Sequence, residues 1–553
     1  MGLGCVADRL ALFRGGRLYV LLTLVALAIA AFSIAFPSTP SYDPWSWLIW
    51  GREILHGQLR LAGGSSWKPL PVIFTTVFAL FGRAQPNLWL LVARAGAVLA
   101  VLMSVKLTVR ITWGLVAPEH TTDRVARVRW TERAATLAPA LLAGAIALVG
   151  VVLARDYPVN SMLGYSEGLA AAAFLVAVER AWDGHPRQAF ALGLIPSLAR
   201  PEVWLVCGPY GLWLMWKDKG ARPLVLGVGI LVLLLWLVPP ELAGTSAKGL
   251  VTHAVHNHHS DSAVNTGSPF WTEFSHVVWP LALARVEIAS LLLLALTGVL
   301  VVTTRRAVGN WSSAIRRHTA AVAASLAAAF GFLWWLVIAV ETQAGFAGNP
   351  RYAVLGVMFI YIGGCSAYGW ACVGLARLGT RAMSRYRRDG GGTAGTRPAR
   401  RSVSVVAGTL VMLAVFVFVP DWFTKPLPSI TSIRTTLHYQ ARLREEVAAL
   451  INEEGGPGKV LGCGSVLTSN SQVPMVEWYL NDPLPWIHSL PHTLEAGPGP
   501  NVVFQAGATS TDYQLPSPRQ MQAWQQGWDR TGSSYKIIRT DPVTLYVDCS
   551  SKS

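Results

Sequence analysis

The chain has 553 residues, of which 52% are hydrophobic and only 14% charged, and its mean hydropathy is +0.41. A soluble domain carries about 25% charged residues, so the composition excludes a globular protein that faces water on all sides. The formal charge of +16 does not point to nucleic acid, because most arginines sit in short loops between apolar runs, where the positive-inside rule puts them.

Apolar runs long enough to cross a ~30 Å hydrocarbon core as helices recur along the chain. Arg9, Arg14 and Arg17 place the N-terminus in the cytoplasm. The first span is predicted over 18–37. It is too long for a signal peptide and lacks a small-residue cleavage site, so it reads as an uncleaved anchor. Cys5 has no apolar signal segment before it, which argues against a lipoprotein. The second span, 89–109, exits at Lys106 and Arg110 into a loop holding Arg124, Arg127, Arg129 and Arg133. Spans three and four are predicted over 134–154 and 167–182. The fifth and sixth, 187–199 and 202–216, are short and broken at Arg200-Pro201. Lys217, Lys219 and Arg222 turn the chain inside before the seventh span, 223–238. The eighth, 286–303, ends at Arg305 and Arg306, and the ninth and tenth cover 318–340 and 353–375. An Arg- and Gly-rich linker follows, then the eleventh span, 403–419. Every basic cluster lands on one side. The expected fold is mainly α, a polytopic membrane helical bundle of about eleven spans (1–420), followed by a small extracytoplasmic α/β domain (421–553).

In that last segment, Ile430, Ile433, Leu437, Val447, Leu450 and Ile451 mark an amphipathic helix. Apolar runs at 459–461, 501–504, 536–538 and 543–547, bounded by Gly, Pro and Asn, read as strands. Cys463 and Cys549 lie near strand ends and form the expected disulfide of an exported domain. Cys207, Cys365 and Cys372 fall in spans and read as packing residues.

The non-basic segments on the outer side are 38–87, 155–166, 240–285, 343–352 and the C-terminal segment, and function is expected where they converge. Asp43 sits just past the first span beside Pro44, Trp45 and Trp47. It reads either as an acid acting on a lipid headgroup or as a loop carboxylate in an interfacial aromatic belt. Glu167, in Gly-Tyr-Ser-Glu-Gly-Leu, opens the fourth span. A carboxylate near bilayer depth marks function or simply favours a helix N-terminus. The third loop carries His253, His256, His258, His259 and Asp261. These residue types bind metal, but their spacing fits no closed zinc pattern, and a grip on lipid phosphate or sugar is equally open.

The ordered set is a span, a loop carboxylate, Trp67-Lys68-Pro69-Leu70-Pro71 leading an apolar helix, a second carboxylate opening a span, Leu198-Ala199-Arg200-Pro201-Glu202, and Asn349-Pro350-Arg351-Tyr352 opening a late span. Over about residues 15–375 this resembles the GT-C glycosyltransferases that use polyprenyl-phosphate sugars. The pattern is similar to protein mannosyltransferases and aminoarabinose transferases, and to actinobacterial mannosyl- and arabinofuranosyltransferases. The family's usual Lys-Pro-Pro-Leu and first-loop Asp-Glu are replaced here by Lys68-Pro69-Leu70-Pro71 and Asp43-Pro44.

The resemblance implies a bacterial cytoplasmic-membrane glycosyltransferase with an extracytoplasmic active site. It would act by inversion, moving a sugar from a polyprenyl-phosphate donor to a glycan, glycolipid or protein acceptor. It further implies Asp43 as the base, Glu167 as the second acid orienting acceptor or holding a divalent cation, and Lys68, Arg200, Arg351 and Tyr352 around the donor phosphate. Residues 70–81 would be a juxtamembrane helix. The Ala-, Arg-, Val- and Gly-rich composition favours arabinofuranose or mannose as the sugar. The competing reading is a transporter or lipid flippase. Transporters place charges near mid-span and often show repeat halves, whereas here the acids and bases gather toward one face and no repeat is evident. A third reading is a lipid-directed acyltransferase using a third-loop His.

Overall fold

The computed structural model describes residues 16–61, 64–116, 130–246, 249, 262–390, 397–418, 429–468, 470–481, 487–489, 501–506, 536–539, 542–547 and 549. The third-loop cluster His253, His256, His258, His259 and Asp261 lies outside them.

The chain is a polytopic membrane helical bundle with a small sheet near its C-terminus. Its helices are α1 (Gly16–Ile34), α2 (Tyr42–Leu55), α3 (Pro69–Ala79), α4 (Gln85–Val116), α5 (Trp130–Val152), α6 (Tyr157–Met162), α7 (Glu167–Trp182), α8 (Pro186–Ser197), α9 (Trp204–Lys217), α10 (Arg222–Leu242), α11 (Ala284–Val308), α12 (Thr319–Gln343), α13 (Val354–Gly390) and α14 (Arg397–Phe418). Among the described residues, six helical stretches are long and apolar enough to cross a membrane: Gly16–Ile34, Gly82–Val116, Lys219–Leu242, Ala284–Val308, Thr319–Gln343 and Pro350–Arg381. Three shorter apolar helices are Pro69–Ala79, Leu137–Val152 and Val403–Phe418.

The remaining predicted spans form helices too short to cross alone. α7, α8 and α9 have 16, 12 and 14 residues; at ~1.5 Å per residue they fall short of a ~30 Å core. The break between α8 and α9 falls at Arg200-Pro201, because the residue before proline is pushed out of the helical region.

Burial separates centre from rim. In Pro350–Arg381 the apolar stretch is 89% buried, against 11% in α1. α1 turns Leu24 and Phe32 outward and buries only Ala26 and Ala30. Such a face suits lipid, and its small residues allow close helix approach. A close crossing lies between α4 and α7. A Cβ on Gly96 would sit 2.6 Å from the Leu169 Cα, and one on Gly168 would sit 2.6 Å from the Ala97 Cα. Both glycines are therefore required there, and Gly168 fixes the neighbouring Glu167.

The second span runs on past its expected exit. α4 continues to Val116, and Lys106 and Arg110 are buried rather than exposed to water. Lys106 Nζ donates to Glu179 Oε2 at 2.6 Å, and Arg110 Nη1 donates to Glu179 Oε1 at 2.8 Å. Arg110 also pairs with Asp183, and the Tyr19 hydroxyl donates to Glu179 at 2.7 Å. A buried cation must be paired, and α7 supplies the partners.

The C-terminal segment holds α15 (Ile430–Glu453), α16 (Pro457–Cys463) and α17 (Val473–Leu480) with a five-stranded sheet. Its strands are β1 (Val466–Thr468), β2 (Ile487–Ser489), β3 (Val502–Ala506), β4 (Lys536–Arg539) and β5 (Val543–Val547), in the order β2-β1-β3-β5-β4. β1 is parallel to β2 and β3, and β5 is antiparallel to β3 and β4. Residues 459–461, expected as a strand, are helical within α16 because Pro457 at the first turn starts a helix there. Cys463 and Cys549 are disulfide-bonded, with Cα atoms 4.5 Å apart. Cys365 and Cys372 are buried free thiols and Cys207 is half-buried.

This segment shares one hydrophobic core with α2 and α3. Trp45, Trp47, Trp50, Trp67 and Val72 belong to the same buried cluster as Leu443, Val476, Phe504 and Leu545.

Candidate functional site

Three proline steps shape the candidate site. Lys68 precedes Pro69 and is extended (φ −139°, ψ 110°), as the N-cap of α3. Arg200 precedes Pro201 and is extended in the same way (φ −140°, ψ 106°). Pro350 opens a short 3-10 turn, Pro350–Ala353, that carries Arg351 and Tyr352 into α13. The first two steps are tied together: Leu70 N donates to the Leu198 carbonyl at 3.0 Å. Trp204 and Trp236 both donate to the Ser197 carbonyl, at 3.1 and 3.0 Å, fixing the chain just before Arg200. Asp43 lies in the first turn of α2 and Glu167 in the first turn of α7, where helix dipoles favour carboxylates.

The side chains meet. Glu167 Oε1 faces Lys68 Nζ at 3.2 Å, Arg351 Nε at 3.7 Å and Arg200 Nη1 at 3.8 Å. Arg351 Nη2 donates to Asp43 Oδ2 at 2.7 Å. Arg200 Nη2 donates to Glu202 Oε1. The Tyr352 ring is flanked by the guanidinium of Arg200 at 3.9 Å and of Arg351 at 5.3 Å, with Lys68 Nζ at 5.9 Å. Thus Asp43, Lys68, Glu167, Arg200, Arg351 and Tyr352, drawn from segments up to about 300 residues apart, form one cluster.

Sequence reasoning passed over several members. Glu202 was visible only as the last residue of the Arg200-Pro201-Glu202 step. Tyr165, two residues before Glu167, stacks 4.0 Å from the Arg351 guanidinium and shares a 2.9 Å hydrogen bond with Ser41. Burial pushes its phenol up to about 12, so it remains protonated at neutral pH. Trp47 lies 5.2 Å from Lys68 Nζ.

All six ionised groups are largely buried: Asp43 is 9% exposed, Lys68 5%, Glu167 8%, Arg200 6% and Glu202 8%, with the Arg351 side chain at 11%. Buried charge is tolerable only when paired, and here three cations face three carboxylates. With three cations around it, Glu167 does not fit a divalent cation. Among the described residues no group of three or more His, Cys, Asp or Glu is arranged to hold a metal.

Beside the cluster lies a cleft of about 280 Å³, counting its open side. Glu167, Arg200, Arg351 and Tyr352 line its polar end, and Ala170, Pro196, Val203, Trp334 and Leu355 line the rest. The second oxygen of Glu167 has no hydrogen-bond partner. Asp43 is not part of this lining. Arg351 stands between it and the cleft, touching both.

No protein-family model matches the sequence, and no curated protein matches it. Among solved structures, ArnT from Cupriavidus metallidurans bound to undecaprenyl phosphate is similar at 12% identity and a TM-score of 0.45, over 96% of this chain and 98% of that one. The apo form of the same protein is similar at 14% identity and a TM-score of 0.44, over 95% of this chain and 97% of that one.

Proposed function

We propose that this chain is a multi-pass glycosyltransferase of a bacterial cytoplasmic membrane that moves a sugar from a polyprenyl-phosphate donor to an extracytoplasmic glycan, lipid or protein. The observation that carries this reading is the polarity of the cleft: Arg200 and Arg351 at one end, with Lys68 behind them on Glu167, and an apolar wall beyond. That is the shape of a phosphate with an isoprenoid tail. A flippase or transporter would be expected to show repeat halves with a site at their interface near mid-membrane, whereas no repeat is evident in this sequence.

In this reading Asp43 is the base, on the acceptor side of Arg351. The acceptor O–H bond breaks and its proton passes to Asp43. The acceptor oxygen bonds to the anomeric carbon as the bond from that carbon to the phosphate oxygen breaks. The electron pair leaves with the polyprenyl phosphate, whose developing charge Lys68, Arg200 and Arg351 stabilise. One displacement inverts the anomeric centre and needs no enzyme nucleophile. Tyr352 and Glu167 hold the cations in place. The composition favours arabinofuranose or mannose as the transferred sugar, and the C-terminal unit (421–553) is assigned to the acceptor side.

The test is transfer from radiolabelled polyprenyl-phosphate sugars, arabinofuranose and mannose in parallel, in membranes containing the protein. Asp43→Asn is expected to lower turnover about 10²–10⁴-fold without loss of donor affinity. Lys68→Ala is expected to weaken donor binding as well. Near-normal turnover in Asp43→Asn removes it as the base.

A further inference from the structure

The base assigned to Asp43 is not free to act in this structure. Its Oδ2 accepts a 2.7 Å hydrogen bond from Arg351 Nη2, and both groups are largely buried. A carboxylate oxygen held in a charge-assisted hydrogen bond by a guanidinium must give up that contact before it can take a hydroxyl proton. Arg351 also borders the cleft that Asp43 does not reach. The same guanidinium therefore faces the carboxylate on one side and the phosphate position on the other. The space inside the cleft that a water molecule's centre can occupy is only about 20 Å³, room for about one water, so a sugar-bearing lipid phosphate must displace something to enter.

We infer that Arg351 is a latch: it holds Asp43 inactive in the resting protein, and the donor phosphate, by competing for the guanidinium, releases Asp43 to serve as base. The inference rests on the functional reading above. The charge count supports it, since Lys68, Arg200 and Arg351 are already balanced by Asp43, Glu167 and Glu202. A phosphate can bind favourably only by taking a cation from one of these carboxylates. Glu167 shares three cations and Glu202 keeps Arg200. Loss of the Asp43–Arg351 bond still leaves Arg351 facing Glu167 at 3.7 Å, so no cation is left without a carboxylate. Binding is then ordered. Donor enters first, and the acceptor meets an active base only afterwards, which protects the empty site from unproductive proton transfer.

The experiment is equilibrium binding of undecaprenyl phosphate, with undecaprenol as the uncharged control, to the full-length protein in nanodiscs. If the latched state is about tenfold more populated than the open one, the apparent affinity is reduced about tenfold. Asp43→Asn removes the competitor, so it should bind undecaprenyl phosphate about tenfold more tightly than the unaltered protein, with undecaprenol unchanged. Equal or weaker binding by Asp43→Asn overturns the latch and leaves the transferase reading standing. No binding of undecaprenyl phosphate by either protein overturns the transferase reading and the latch together. Should Asp43→Asn not fold, labelling of Asp43 in the unaltered protein by a water-soluble carbodiimide and an amine, read by mass spectrometry, answers the same question. Labelling should rise on adding undecaprenyl phosphate, and a fall or no change overturns the latch.

Discussion

At the scale of single residues, charge pairing decides what each side chain does. Glu167 is the common counter-ion of Lys68, Arg200 and Arg351. Glu167→Gln leaves three buried cations short of one charge, and breaking a buried network from one side costs about 3–5 kcal/mol. The expected result is a marked fall in thermal unfolding midpoint, with partial recovery in the double variant Glu167→Gln/Lys68→Met. A double variant less stable than the single would show that Lys68 is held by something else. Glu53 gives a pH-dependent case in α2. Burial raises its carboxyl from 4.5 to about 7. Between those two values the folded chain holds more protons than the unfolded one, so stability falls as pH rises through the window. A Glu53→Gln variant should flatten that fall in unfolding midpoints measured from pH 4.5 to pH 8, and an unaltered slope would assign it elsewhere. Charged residues in apolar surroundings are conspicuous in a sequence, which is why Asp43, Lys68, Glu167, Arg200 and Arg351 could be singled out. Who pairs with whom could not be read. The Arg351–Asp43 bond joins residues 308 apart, and no local pattern encodes it. Tyr165 and Trp47 escaped notice because aromatic residues are common at any membrane surface.

At the scale of elements, helix type and position were legible from apolar runs and proline steps, whereas lengths and the short strands were not. β1 and β2 have three residues each, too few for alternation to register. Residues 459–461 carried an apolar run without the preceding Gly456-Pro457 being read as a helix start. What the sequence left wholly hidden is that the C-terminal unit braces α2. Trp478 of α17 packs on Trp45 with ring centroids 5.3 Å apart, and its indole donates to Gln85 Oε1 at 3.0 Å. Arg52 donates to the Trp478 carbonyl at 3.1 Å, and Arg444 reaches the Ser38 carbonyl at 2.8 Å. Trp45 is two residues from Asp43, so the orientation of the first turn of α2 depends on α17. Trp478→Ala is therefore expected to lower turnover about tenfold or more, since small misplacements of a reacting group are costly. Affinity for undecaprenyl phosphate should be kept or rise, because none of its proposed ligands touches α17 and a displaced Asp43 competes less for Arg351. A variant that lost affinity and turnover equally would instead indicate general unfolding of this end of the bundle.

At the scale of the whole molecule, two buried charge clusters mark two ends, and α4 measures the distance between them. Gln85, at the start of α4, hydrogen-bonds Trp478 of the C-terminal unit. Arg110, 25 residues later, is locked to Glu179 and Asp183. At ~1.5 Å per residue that separation is about 37 Å, more than the ~30 Å hydrocarbon thickness. In the proposed topology the C-terminal unit and the Lys106–Arg110–Glu179 cluster would sit at opposite faces of a bilayer that α4 crosses. Loop arginines decide which face is which. Arg305 and Arg306 end α11, and Arg316 and Arg317 precede α12. Positive-inside bias would put such loops in the cytoplasm, and with them the α4 end that carries Arg110. In the proposed topology the C-terminal unit, the Asp43 cluster and the Cys463–Cys549 disulfide would face an oxidising compartment, where such a bond persists. A reporter enzyme active only in the cytoplasm, fused after Ser553, should be inactive, and one active only after export should be active. The reverse pair of results would turn the molecule over, place the cleft on the cytoplasmic face, and require a donor displayed on the inner leaflet.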